Sequence, residues 1–474
     1  MKTKSGGDLS RRGVVKGAGL LLAAGGFGVS RSRATGTDSF VEPSRELKIA
    51  DDVDVIVCGA GPAGIAAAVT AARQGASVRL FEAHGCLGGI WTAGLLGWLI
   101  DFDKPGFTSE LVSKLAERDA YRGKGRTGIS YEPEEMKVLL DELCTQAGVK
   151  LQLHTRVTAA YSVAKRIRTI VTESKAGRQA WRANVFIDTT GDGDLGAQAG
   201  CEWEIGQSDD CPCQPMSMCA LLVVKDAREL AHVIHGSGTG HGKDNTATKR
   251  AFLKEIKRAG FDPSYGLPTM FPVRDNLVAV MINHEYGIKP FEADRVSEAT
   301  VRARAEIHAI VHGLRKLGGP WEGVQIAATP EQIGIRDGRR IRGRYVVQRE
   351  DLLKGSRHAD GVVRPTFTVD VHAMSREANK KAAYHNAGVK MSPYDIPLRA
   401  LIARDVDGLM MAGRCISGDF IAHASYRVTG NAVAMGEAAG VTSAVAVRDG
   451  LMPHAVEWEK VGPLLAKIRE EKAG

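Results

Sequence analysis

Asp54–Glu82 reads DVIVCGAGPAGIAAAVTAARQGASVRLFE, and this stretch decides the fold. An apolar run (Val53, Val55, Ile56, Val57) has the composition of a buried strand. Gly59-x-Gly61-x-x-Gly64 follows, then an Ala-rich segment from Ile65 to Gln74 with helical character. A second apolar run (Val78, Leu80, Phe81) ends in the acid Glu82, 18 residues past Gly64. Strand, glycine turn, helix, strand and terminal acid together form a β-α-β unit of dinucleotide-binding type. Gly59 permits the tight turn, Gly61 lets a pyrophosphate approach the backbone, and Gly64 lets helix and strand pack closely. The helix N-terminus offers unpaired N–H groups and partial positive charge to phosphate, and Glu82 is placed to accept from a ribose diol.

A second match, Gly191-Asp-Gly193-Asp-Leu-Gly196, follows the apolar run Val185–Ile187. Asp192 and Asp194 would set carboxylates against phosphates, so this segment reads as a turn at a strand's carboxyl end, where such folds place ligands.

The N-terminus reads as an address. Ser10-Arg11-Arg12-Gly13-Val14-Val15-Lys16 resembles the twin-arginine export motif, Gly17–Val29 is apolar and Gly/Ala-rich, and Ser32-Arg33-Ala34 is a small-residue cleavage site. The apolar stretch is short and glycine-rich for a transmembrane helix, so no stable membrane anchor is expected. Residues 1–34 are expected to be the signal and 35–50 a linker, giving a periplasmic or otherwise exported protein. The twin-arginine translocase, which moves folded chains, would be a transient partner.

Removing 34 of 474 residues leaves roughly 440, which calls for two connected domains. The apolar content of 44% is ordinary. The net charge of +8 falls partly in the signal and otherwise is scattered, with a dense patch at 336–349, and aromatic residues are only 6%. A nucleic-acid partner, which needs a basic stripe interleaved with aromatics, is not expected. Among the eight cysteines, Cys58, Cys86, Cys144 and Cys415 read as buried thiols. Cys201, Cys211, Cys213 and Cys219 cluster, but CxC without a nearby His is no zinc site; inert thiols are the expectation, with one disulfide in this loop as the alternative in an exported protein.

Helices are expected at Glu132–Gly148, around Thr248–Gly260 and Asp294–Leu317, and at Gly430–Val447; strands at Val149–Leu153, Ala183–Thr189 and Leu409–Gly413; and an antiparallel meander over Val157–Ala180. Gly236–Lys243 lacks the spacing of a phosphate loop and reads as a loop. The resulting domain boundaries are 51–201 and 396–474 for a split nucleotide-binding domain, with 202–395 as an inserted substrate or cap domain.

The residues also resemble a known family. Asp54–Glu82 followed by Leu87-Gly88-Gly89, then Asp188-Thr-Thr-Gly191-Asp-Gly193-Asp, Gln332–Arg336, Arg339–Gly343, Met411-Ala-Gly413-Arg414, Ser425-Tyr-Arg427 and Gly436–Gly440 are similar to the FAD-dependent oxidoreductases of bacteria. These are distantly related to fumarate reductase and succinate dehydrogenase flavoproteins. The resemblance covers almost the whole chain after the signal. It implies an α/β, Rossmann-like FAD-binding fold of glutathione-reductase type with an inserted α+β substrate domain. It implies that Gly59, Gly61, Gly64 and Glu82 hold the ADP half of FAD and that Gly88 and Gly89 pass close to the pyrophosphate or ribityl chain. Asp192 would sit near the flavin end, Gly413 and Arg414 along the ribityl side, and Arg427 and the helix start near Asn431 beside the isoalloxazine. Glu437 departs from the pattern, where Gln is expected.

The expected activity is dehydrogenation of a small organic molecule by hydride transfer to flavin N5, with electrons passing to a separate acceptor. The alternative is a reductase of fumarate-reductase type fed by an external donor. A structural FAD protein and a NAD-dependent dehydrogenase are weaker alternatives, because the phosphate turn is intact and the Gly191–Asp194 and Gly413–Arg427 segments have no role in a simple NAD domain. His372 and His423 are the candidate bases, and Arg336 and Arg427 the candidate clamps for an anion. If Ile416–Thr429 is extended, His423, Ser425 and Arg427 share one face.

Overall fold

In a computed structural model, the parallel strands Lys150–Gln152, Val78–Phe81, Ile49–Cys58 and Gly177–Asp188 lie side by side in a seven-stranded sheet. The structure describes residues 39–124, 128–208, 211–236 and 245–471. The expected signal at 1–34 and most of the Gly236–Lys243 loop lie outside these residues. Residues 47–474 form one compact unit, and residues 39–46 contain no helix or strand.

The register explains where a ligand site arises. Cys58 pairs with Phe81 on one side and with Asp188 on the other, and Asp188 pairs with Met411 of the strand Leu409–Met411. The carboxyl ends of these strands therefore form one row, and the loops that leave them start side by side. Val55, Ile56, Val57 and Cys58 are all fully buried, as expected of a parallel strand covered on both faces. The meander follows as expected: Arg156–Val163 and Arg166–Ser174 pair antiparallel, and the latter pairs with the first half of Gly177–Asp188.

Two helices cover one face through small residues. Pro62–Arg73 packs on Thr429–Arg448, and a side chain at Gly436 would put its Cβ 2.1 Å from the Ala63 carbonyl oxygen. At Gly440 the corresponding distance to the Ala67 oxygen is 2.5 Å. The glycines thus allow a close helix–helix approach that any larger residue would block.

A second apolar core runs from Met216 to Ile333. It lies between the antiparallel sheet (Thr269–Arg274, Leu277–Met281, Cys219–Val223, Gln325–Ala328) and the helices Asn245–Arg258 and Ala293–Lys316. The period-2 alternation is clean: Ala220 and Leu222 face this core, while Cys219 and Leu221 pack with Trp98 and Phe271. Apolar side chains from Ile341 to Ile396 instead join the core of the parallel sheet. The architecture is α/β, a Rossmann-like mixed sheet with antiparallel insert sheets.

Two cysteine expectations need correction. Cys211 and Cys213 are joined by a disulfide, their Cα atoms 5.2 Å apart across Pro212. Cys86 is half-buried rather than buried, while Cys58, Cys144, Cys201, Cys219 and Cys415 are buried free thiols. Among the described residues no helix is long and apolar enough to cross a membrane.

Candidate active site

The glycine turn and the acid meet at the strand ends. Gly59 has φ +98° and a Cβ there would lie 2.6 Å from the Thr189 oxygen, so the position demands glycine on both counts. At Gly64 a Cβ would fall 1.9 Å from the Gly59 oxygen. Gly61 differs: a Cβ there meets no chain atom within 4 Å, although the residue precedes the helix Pro62–Arg73. The open space lies at the helix N-terminus, where a phosphate is best held. Glu82 is buried; its Oε2 accepts from the Ala60 amide at 2.7 Å and its Oε1 from the His84 amide at 2.9 Å. The Gly88 amide donates to the Ala60 oxygen at 2.8 Å. A Cβ on Gly89 would come within 3.0 Å of Gly61 Cα, and one on Gly413 within 3.1 Å of Ala63 Cβ. Gly59, Gly61, Gly64, Glu82, Gly88, Gly89 and Gly413 thus converge on one helix N-terminus.

The turn after Asp188 forms a second group. Asp188 Oδ1 accepts from Thr190, and Oδ2 accepts from the Gly196 amide at 2.8 Å, so this carboxylate organises the turn. Arg414 Nη2 lies 2.9 Å from Asp192 Oδ1. Burial pushes the Asp192 carboxyl up to about 6, with Arg414 opposing.

The third group is a buried polar network that joins three of the four catalytic candidates. His372 Nε2 lies 3.2 Å from Asp370 Oδ2, and Arg427 Nη2 donates to the same oxygen at 3.2 Å. His372 Nδ1 lies 2.9 Å from His284 Nε2, and His284 Nδ1 lies 2.8 Å from Ser217 Oγ. Arg336 Nη1 donates to Ser217 Oγ at 2.9 Å and to the Pro215 oxygen at 2.8 Å. Gln214 Oε1 accepts from the His372 amide at 3.1 Å. Tyr265 stacks on His284 with ring centroids 4.0 Å apart. Burial, then the Arg336 charge, pushes His372 down to about 4 and His284 further below its usual range. Burial works against the Asp370 carboxylate, but His372, Arg427 and Arg336 hold it well below the usual range.

His423 stands apart from this network. The segment around it is not extended: Phe420–Tyr426 is a helix, because Asp419 caps it by accepting from the Ala422 amide at 2.7 Å. His423 and Arg427 still share a face at i, i+4, but Ser425 turns away and donates to the Phe367 oxygen at 2.6 Å. The His423 ring is fully buried, 4.0 Å from Asp337, and among the described residues neither nitrogen has a hydrogen-bond partner. Glu437 also points elsewhere: it accepts from the Phe107 amide at 2.7 Å and from Arg469 Nε at 3.0 Å.

Four residues of the network, Ser217, Asp370, Gln214 and Tyr265, carry no sequence signal. His284 carries a weak one, a lone His just past the apolar strand Leu277–Met281.

The residues present fit a bound polar cofactor. Gly61 leaves open space at a helix N-terminus, and several buried polar atoms have no partner among the described residues. These are Asn431 Oδ1 and Nδ2 in the first turn of Thr429–Arg448, Arg427 Nε, Gln214 Nε2 and both His423 nitrogens. Native interiors seldom leave such groups unpaired, and their clustering calls for a ligand with hydrogen-bonding edges.

The family comparison agrees with that requirement. A family model described as FAD dependent oxidoreductase matches residues 54–469. Urocanate reductase of Eggerthella lenta is 34% identical over 148 residues, covering 28% of this chain and 23% of that protein. The chain therefore matches about a quarter of the length of this curated relative. Among solved structures, a geranylgeranyl bacteriochlorophyll reductase-like protein from Thermoplasma acidophilum aligns with TM-score 0.44 at 13% identity, over 89% of this chain and 83% of that one. The p-nitrophenol 4-monooxygenase of Pseudomonas putida aligns with TM-score 0.45 at 12% identity, over 89% and 86%.

Proposed function

The chain belongs to the FAD dependent oxidoreductase family, and from that premise we propose that it oxidises a small anionic organic molecule and passes the electrons to a separate acceptor. FAD, when bound, supplies the two-electron acceptor. The rest of the reading concerns the chain's own side chains.

One observation carries the substrate class: Arg336 makes no ion pair among the described residues. The neighbouring guanidinium groups are matched, Arg340 to Asp337, Arg339 to Asp194, Arg414 to Asp192 and Arg427 to Asp370. Among the described residues Arg336 donates to the Pro215 oxygen, Ser217 Oγ and Met281 Sδ. A partly buried guanidinium without a direct ion-pair partner favours an anion, because water is largely excluded from it. Arg427, ion-paired to Asp370 and with its Nε unpaired among the described residues, orients the same anion. His372, tied to Asp370, is placed ahead of the sealed His423 as the group that handles the proton.

Gly59, Gly61, Gly64, Glu82, Gly88 and Gly89 would hold the ADP half of FAD. Gly413, Asp192 and Arg414 would lie along its middle, and Asn431 at its ring end. The Arg11–Arg12 motif supports export of the loaded protein by the twin-arginine route.

The test is an anaerobic screen of small organic acids beside their amides and esters, following loss of flavin absorbance. Bleaching by acids and not by their neutral analogues is expected, with Arg336→Ala raising KM. Bleaching by neutral compounds alone would overturn the reading. A second reading, a reductase fed by an external donor, is favoured by the similarity to urocanate reductase. Faster turnover of unsaturated acids with a reduced dye than of saturated acids with an oxidised one would select it.

A further inference from the structure

His284 and His372 present four ring nitrogens in a line, and the groups at the two ends are both acceptors. At one end the Asn283 carbonyl oxygen is 2.6 Å from His284 Nδ1. At the other, Asp370 Oδ2 is 3.2 Å from His372 Nε2. Between the rings, Nε2 of His284 and Nδ1 of His372 are 2.9 Å apart, which requires one proton there. If both end nitrogens carry protons as well, the two rings hold three protons and one unit of positive charge. If the rings hold only two, one end nitrogen must face an acceptor with its lone pair.

Ser217 resolves this conflict. Its Oγ is 2.8 Å from His284 Nδ1 and 2.7 Å from the same Asn283 oxygen, so the hydroxyl proton can point to either. With the rings neutral, Ser217 donates to His284 Nδ1, His284 Nε2 donates to His372, and His372 Nε2 donates to Asp370. With the rings charged, Ser217 and His284 Nδ1 both donate to Asn283, and His372 donates from both nitrogens. In both arrangements Ser217 Oγ still accepts from Arg336, and the Asn283 side chain stays clamped between the Met218 amide (2.9 Å) and the Ala303 oxygen (3.0 Å). Thus two nearly complete hydrogen-bond patterns differ by one proton and one hydroxyl rotation.

We propose that Ser217, His284, His372 and Asp370 form a proton relay in which the two imidazoles hold a single exchangeable proton and Ser217 is its outlet. This deepens the oxidoreductase reading above and rests on it for the identity of the proton's partner. In the discharging direction, the Ser217 O–H bond breaks toward the substrate anion, the His284 Nδ1–H proton replaces it on Oγ, and the His372 Nδ1–H proton moves to His284 Nε2. One proton leaves, and the rings end neutral. Oxidation of a substrate runs the same steps in reverse. Ser217 is the outlet because it alone of the four also meets Arg336, the residue assigned to the anion.

Opposing forces poise the pair. Burial and the Arg336 charge favour the neutral rings, whereas Asp370 and the Asn283 carbonyl favour the charged ones. The other ionisable groups that face the rings are Arg427, Tyr265, Tyr286 and Tyr384. An anion seated on Arg336 cancels part of the positive charge that keeps the rings neutral, so anion binding and proton uptake are coupled.

The experiment uses the FAD-loaded protein with 15N-labelled histidine and needs no substrate. Long-range 1H–15N spectra are followed over pH 3 to 8 in the parent protein, Ser217→Ala and Ser217→Thr. The relay requires both rings to change at one shared midpoint with one proton taken up. In Ser217→Ala the neutral arrangement has lost its donor to His284 Nδ1, so the shared midpoint rises by a pH unit or more, a tenfold gain in proton affinity. His372, which does not touch Ser217, must move with it, and Ser217→Thr must restore the parent midpoint. Two separate midpoints in the parent protein, or a Ser217→Ala shift confined to His284, overturns the relay. If Ser217→Ala does not retain FAD, the parent titration decides alone. A substrate screen that fails for acids leaves this result standing, so the two readings fail separately.

Discussion

Glu82 Oε2 lies 2.7 Å from the amide nitrogen of Ala60, so the acid that ends the second strand ties down the turn that follows the first. The turn keeps its shape through this carboxylate, while Gly61 beside it faces open space.

That contrast separates two kinds of glycine in one motif. Gly61→Val is expected to fold, because a Cβ there meets no chain atom within 4 Å, and to lose FAD, because the side chain fills the phosphate space. Gly64→Val is expected not to fold, because its Cβ would lie 1.9 Å from the Gly59 oxygen. Circular dichroism and flavin absorbance of the two purified variants check this. A yellow Gly61→Val protein with parent-like flavin content would sink the proposed cradle.

Arg427→Ala is expected to retain FAD and to slow flavin reduction by roughly a hundredfold, the scale of losing one preorganised donor. The variant also leaves Asp370 with His372 as its remaining neighbour in the network, which favours the charged imidazole pair. The pH profile of reduction should therefore move to higher pH. Stopped-flow reduction at several pH values measures both effects, and an unchanged rate with an unchanged profile would remove Arg427 from the chemistry.

Legibility tracked sequence distance. The Asp54–Glu82 unit is readable because its strand, turn and helix signals are local and agree, and the Gly-rich Thr429–Arg448 helix is readable from composition alone. The segment from Ile416 to Thr429 misleads because alternation of His423, Ser425 and Arg427 imitates a strand, while Asp419, three residues before Ala422, is the cap signal that outweighs it. Ser217, His284 and Asp370 come from three distant segments, and each is an ordinary polar residue in its local context. Only tertiary packing brings them within hydrogen-bond reach of His372 and Arg336, so no periodicity announces them.

Export is a separate prediction from the residues before the fold. Replacing Arg11 and Arg12 with Lys is expected to leave a precursor in the cytoplasm with flavin already bound. Fractionation with flavin fluorescence reads this out, and normal secretion of the double variant would reject the twin-arginine route.

His235 gives the clearest link between pH and stability. It packs against Trp98, with ring centroids 4.6 Å apart, and against Phe271 at 5.7 Å, outside the relay. Burial, then the nearby Lys249 charge, pushes it from 6.5 down to about 4. Above pH 6.5 the ring is neutral whether the chain is folded or not, so it has no pH-dependent effect. As pH falls from 6.5 toward 4, the unfolded chain takes up a proton that the folded chain refuses, and stability is lost. Other groups titrate in this range; Asp188 and Asp192, both raised to about 6 by burial, act in the opposite sense. Comparing the parent with His235→Phe cancels those shared contributions and isolates one ring. The variant's stability relative to the parent should rise by about 1 kcal/mol between pH 7.5 and pH 5.5, close to the limit for one proton over one pH unit. Urea midpoints at the two pH values measure it, and a relative stability that does not change with pH would show that His235 titrates normally in the folded protein.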